Sequence, residues 1–144
     1  MPTTFTNNWK NILDKLRNII RNEFKGALPV YIGDEGNEGS QYLRLDPIGS
    51  DFIEYMHSSE SREFTISVFY YFAEHNIKKT ALDNVLRYVS RIEALIHDNV
   101  TMTLADSTQA YNCRFESTEI NPDQESGVYV VQWEYKCQHT GNIS

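Results

Sequence analysis

Apolar residues recur at spacings of three and four from the start of the chain. Trp9, Ile12, Leu13, Leu16, Ile19, Ile20 and Phe24 form one stripe, with Lys10, Asp14, Arg17 and Arg21 opposite. This predicts an amphipathic helix from about Thr6 to Phe24, capped by Thr6 or Asn7 and closed near Gly26. A second helix is predicted from about Ala81 to Asp98, with Leu82, Val85, Leu86, Val89, Ile92 and Ile96 along one side. Thr80 and Asp83 resemble a capping box at its start, and Asn99 suits its end.

Between and after the helices the period drops to two. Leu28–Ile32 reads as a short strand demoted to an edge or bulge by Pro29, and Gln41–Leu45 as an extended segment stopping before Pro47. Phe52–His57 and Arg62–Ala73 are expected to pair across Ser58–Ser61. Val100, Met102 and Leu104 alternate with polar residues in a brief strand. Tyr111–Ile120 and Val128–Gln138 then form a second hairpin across Asn121–Gly127. No internal repeat or linker divides the pattern. The expectation is a single α+β domain over residues 1–144: a mostly antiparallel sheet with two amphipathic helices packed on it, two β-hairpins, and one long acidic loop at Gly33–Ser40.

The Arg62–Ala73 strand departs from simple alternation. Phe64, Ile66, Val68, Tyr70 and Phe72 point one way, while Phe69, Tyr71 and Ala73 point the other. Two helices can cover one face of a sheet. The second apolar face needs another cover, and a partner subunit is the economical one, which makes Phe69 and Tyr71 candidate interface residues.

Register in the last hairpin can be argued from charge. Placing Cys113 opposite Cys137 sets Arg114 against Lys136 and Glu116 against Glu134, two like-charge pairs. Sliding by one pair sets Arg114 beside Glu134 and Phe115 beside Trp133. The cysteines then lie diagonally and are expected to stay reduced, with a disulfide as the alternative.

The chain of 144 residues carries a formal charge of -7 and a pI near 5.0. This disfavours general binding to nucleic acid or anionic membranes. No apolar run is long enough to span a bilayer, and the N-terminus lacks the order of a secretory signal, so synthesis in the cytoplasm is expected. The charge is unevenly spread. Lys10, Lys15, Arg17, Arg21 and Lys25 against Asp14 and Glu23 leave +3 on the first helix, and therefore -10 on the remainder. Such polarity suits head-to-tail contacts, with Lys10, Arg17 and Arg21 as candidate interface residues, and equally describes a solvated helix face.

Candidate chemistry is sparse. Glu93 and His97 stand one helical turn apart without a third metal ligand at a recognisable spacing. Asp34, Glu35 and Glu38 lack the strict spacing of a calcium loop, and Gly33, Gly36 and Gly39 match no phosphate-binding pattern. His57, His75 and His139 are scattered. The expectation is a protein that is not an enzyme, with no catalytic, cofactor or metal site.

The order helix, strands with a long loop, strand pair, helix, strand pair resembles the tail terminator proteins of long-tailed bacteriophages. The resemblance rests on the Trp9–Phe24 helix, the aromatic strand Phe64–Phe72, the segment Arg91–Ile96 and the final Val130–Tyr135 strand. It implies a structural virion protein, made in the host cytoplasm and placed in the tail or neck. Copies would form a hexameric ring that caps the tail tube and meets the head-neck connector, with DNA passing through without specific binding. The acidic loop at Asp34, Glu35 and Glu38 would then line the channel or its rim. A head-closure or other neck ring is the alternative within this class, and a small ligand-binding α+β domain the alternative outside it.

Overall fold

The computed structural model describes residues 6–33, 41–56, 59–73, 78–123 and 128–142. Helix α1 spans Asn8–Phe24. The Asn7 side chain accepts a hydrogen bond from the Lys10 backbone N–H at 3.1 Å, satisfying one of the first-turn donors. At the other end Lys25 (φ 53°) and Gly26 (φ 80°) are both left-handed, and the Gly26 N–H closes on the Arg21 carbonyl at 3.1 Å. Helix α2 spans Lys78–His97 and so begins ahead of Ala81. Thr80 therefore lies within its first turn and not at a cap. Its last turn is closed by the Asn99 side chain, which donates to the Leu95 carbonyl at 2.8 Å.

The strands are β1 (Val30–Ile32), β2 (Gln41–Met56), β3 (Ser59–Ala73), β4 (Met102–Thr103), β5 (Gln109–Asp123) and β6 (Val128–Asn142). They join one sheet in the order β1-β2-β3-β6-β5-β4. This corrects the expected mostly antiparallel sheet with two hairpins. The molecule is mostly sheet, with 55% in strands, and the sheet is a curled, mixed half-barrel of six strands. Strand β1 runs parallel to β2, pairing Val30 with Leu43 and Ile32 with Leu45, and the central pairing of β3 with β6 ties the two halves together. The period-two reading could not supply that join, because it sees only neighbours in sequence.

A second correction concerns β2. The segments on either side of Pro47 are one continuous strand, carried past the proline by an irregularity between Pro47 and Gly49. Proline is tolerated there because a bulge on a border strand needs no donor from it.

The inner face of the sheet holds the core. Leu43, Leu45, Ile66, Tyr70, Val131 and Trp133 are fully buried there, with Ile12, Leu16 and Ile20 of α1 and Ile92 of α2. An aromatic chain crosses the layers: Phe24 stacks on Tyr88 at 5.5 Å, and Tyr88 lies 5.8 Å from Tyr70. Burial holds the Tyr70 phenol far above its ordinary value, so it stays neutral at any working pH. Leu82 and Leu86, assigned by periodicity to the buried stripe of α2, are exposed instead. The sheet does not extend cover to that flank.

The hairpin register also differs from expectation. Arg114 pairs directly with Lys136 and Phe115 with Tyr135, with irregularities between Tyr111 and Arg114 and between Phe115 and Ser117. The like charges are tolerated because a third strand intervenes. Glu63 of β3 lies 3.2 Å from Arg114 and 3.7 Å from Lys136, while Glu116 lies 2.6 Å from Arg114. Burial works to raise the Glu63 carboxyl, but hydrogen bonds from Gln138 and Arg114 and the two cations outweigh it and hold it below the usual range. Asn112, at φ 53°, turns the chain at the first irregularity; asparagine adopts that conformation more readily than most residues. Cys113 and Cys137 are both buried and free, with a hydrogen bond between their side chains that, with burial, pushes the Cys137 thiol up.

His139 sits 2% exposed behind this region, its Nε2 2.9 Å from the Thr108 hydroxyl. Burial lowers its pKa below 6.5, against a smaller opposing pull from Asp106. The unfolded chain therefore binds the His139 proton more readily than the folded one. Stability is expected to be flat above about pH 6.5 and to fall as pH drops below it. A second loss should follow in the carboxylate range, where depressed Glu63 and Asp106 are protonated. Urea titrations across pH check this, and His139→Gln should remove only the loss near pH 6.

Candidate functional site

The sheet's outer face, turned away from both helices, is where the chain concentrates unusual side chains. Alternation along β3 sends Phe69 and Tyr71 to it while Phe64, Ile66, Val68 and Tyr70 point inward. Registration then selects their neighbours. Tyr42 lies directly opposite Tyr71 and Arg44 opposite Phe69. The Tyr42 and Tyr71 rings stack at 4.9 Å and 20°, and Tyr31 of β1 meets Tyr42 edge-on at 5.9 Å. The Arg44 guanidinium lies over Phe69 at 5.0 Å while bonding Asp46 at 3.0 Å. Burial, helped by Tyr71, raises the Tyr42 phenol above its ordinary value.

Along the same face the patch gives way to polar residues. Gln132 lies opposite Phe69, then Glu134 opposite Ser67, then Lys136 opposite Thr65. A shallow depression of about 340 Å³ lies between Ile48, Ser67, Glu119, Gln132 and Glu134. The face thus carries an aromatic end, an acidic middle and the Glu63–Arg114–Lys136 network beyond. Its aromatic residues are half-buried while Ile48, Glu119 and Glu134 are exposed, and no other element among the described residues covers it. That arrangement suits protein contact: aromatic area with polar rims.

The structure separates the residues singled out in the sequence. Phe69 and Tyr71 share the outer face, whereas Lys10, Arg17 and Arg21 lie on α1, on the other side of the sheet. Lys10 is exposed, Arg17 pairs with Asp14 at 3.2 Å, and Arg21 donates to the Val30 carbonyl at 3.1 Å. The loop residues Asp34, Glu35 and Glu38 fall outside the described residues, as do His57 and His75. Glu93 and His97 border a second depression of about 350 Å³ together with Asn112 and Arg114, and Glu93 accepts from the Thr118 hydroxyl at 2.8 Å. Among the described residues no three His, Cys, Asp or Glu side chains cluster as a metal site would require, and no helix is long and apolar enough to cross a membrane.

Sequence reasoning missed Tyr42 and Arg44 as part of the patch. It also missed the exposed residues of β2, with Tyr55 66% and Ile48 63% accessible, and Phe52 and Ile53 exposed between them. The signal for β2 was present: Gly49, two residues past Pro47, marks a bulge that lets one strand continue.

No family model matches the chain, and no curated protein matches it. Solved structures do. A chain from the virion of a native gene transfer agent particle superposes with a TM-score of 0.61 at 12% identity, covering 95% of this chain and 100% of that one. The two share a fold. A second solved chain, at 14% identity and a TM-score of 0.58, covers 94% of this chain and is itself covered over 97%. In both matches the likeness runs essentially end to end, so the whole domain, and not one motif within it, is the shared unit.

Proposed function

We propose that this protein is a structural component of a phage-like virion, and that it acts as a tail terminator: a ring of copies that caps the tail tube and presents a surface to the neck. The observation that carries the reading is the end-to-end fold shared with a chain of a gene transfer agent virion. Two features of the chain support it. The outer sheet face offers aromatic area, around Phe69 and Tyr71, that no element of its own covers among the described residues. Helix α1 and the sheet lie on opposite sides of the molecule, so a basic surface of one copy can meet a different surface of the next. Contacts of that heterologous kind close into rings. The tail-terminator resemblance of the sequence supplies the finer role and the six-fold copy number. In this role the chain has no reaction to catalyse and needs no cofactor.

The test is polymerisation of the cognate tail-tube protein with and without this chain. A terminator added in small amounts halts growth and leaves short tubes with density at one end. Unaltered tube lengths, with no chain bound at either end, would contradict the assignment.

A further inference from the structure

The far half of β2 is built as a contact surface. Strand β1 covers β2 only over Leu43–Leu45. From Pro47 to Tyr55, β2 has β3 on one side and, among the described residues, no strand on the other. Soluble proteins blunt such borders with lysines or covering loops, because free backbone groups invite another chain. Here the border instead exposes Ile48, Phe52, Ile53 and Tyr55.

The register shows how the surface is sorted. Asp51 lies opposite Glu63, Phe52 opposite Arg62, and Glu54 opposite Ser61, so Ile53 is one residue extra. Without that bulge Asp51 and Glu54 would point to opposite faces. With it, both carboxylates share the outer face, while Phe52 and Tyr55 share the other, their rings 4.7 Å apart. Neither carboxylate has a cationic partner among the described residues. The border is thus acidic on one side and apolar on the other.

We infer that this border seats on the helix layer of a second copy of the chain. The helix layer carries the complementary chemistry. Helix α1 and the residue that ends it expose Lys10, Arg21 and Lys25, and α2 exposes Leu82, Leu86 and Arg87. Border and helix layer are different patches, so the contact is head-to-tail and repeats from copy to copy. The inference rests on the ring reading above and names the surfaces that would make it.

A charge-swap experiment tests it at low salt, where screening is least. Asp51→Lys with Glu54→Lys, and separately Lys10→Glu with Arg21→Glu, should each weaken self-association by about tenfold or more while far-UV circular dichroism stays that of the wild type. Mixed in equal amounts, the two variants should associate again, because each border then meets a helix of opposite sign. Association of the Asp51/Glu54 variant like wild type, or a mixture no better than its parts, overturns the inference and leaves the ring reading standing. A wild-type chain that never self-associates, alone or on tail tubes, overturns both.

Discussion

Trp133→Ala is expected to lower the unfolding free energy by about 3–5 kcal/mol, enough to leave much of the chain unfolded at moderate urea concentrations. Trp133 is completely buried on β6, opposite Val68 of β3 and stacked on Phe115 at 5.1 Å and 13°. It therefore joins β5, β6 and β3, and removal of the indole leaves a cavity that three hydrogen-bonded strands cannot close. Trp133→Phe separates packing from polarity. The indole Nε1 is buried without a hydrogen-bond partner among the described residues, so phenylalanine keeps the stack and removes that donor. It is expected to cost less than about 1.5 kcal/mol. Urea unfolding monitored by circular dichroism checks both; equal losses in the two variants would show that the indole's fit and not its bulk matters.

Tyr71→Asp is expected to leave a folded protein that no longer associates. Tyr71 is half-buried, and its support is the Tyr42 ring and not the inner core, so the fold tolerates its loss. An assembled interface does not, because a carboxylate desolvated there without a cation costs several kcal/mol. That corresponds to a drop in association of at least about a hundredfold. Phe69→Asp is the less severe change, since Arg44 stands over that position and can pair with the new carboxylate. The order of the two defects in sedimentation is thus itself informative: Tyr71→Asp should dissociate more fully.

Local features were the most legible. The three-and-four spacing of Ile12, Leu16 and Ile20 locates α1, and alternation along β3 correctly sorts Phe64, Ile66, Val68 and Tyr70 from Phe69 and Tyr71, because burial by a single layer writes a regular period. What was illegible depends on contacts far apart in sequence. The parallel pairing of β1 and the joining of β3 to β6 leave no periodic trace. The Arg114–Lys136 pair looked unfavourable only because Glu63, on a strand distant in sequence, was not in view. Leu82 and Leu86 fit the helical stripe yet lie exposed, since periodicity records which residues share a face and not how far the sheet beneath them reaches. The candidate surface followed the same division: the face that Phe69 and Tyr71 take was readable, whereas Tyr42 and Arg44 became visible only once register placed them opposite.

The central claim is that the outer sheet face and the exposed border of β2 are covered by other copies of the same chain. Sedimentation equilibrium of the wild-type protein beside Tyr71→Asp tests it most directly. The account predicts a wild-type mass several times that of one chain, rising with concentration to a closed limit near six copies, and a single-chain mass for the variant. A wild-type protein that remains one chain at every concentration, with and without tail tubes, would contradict it.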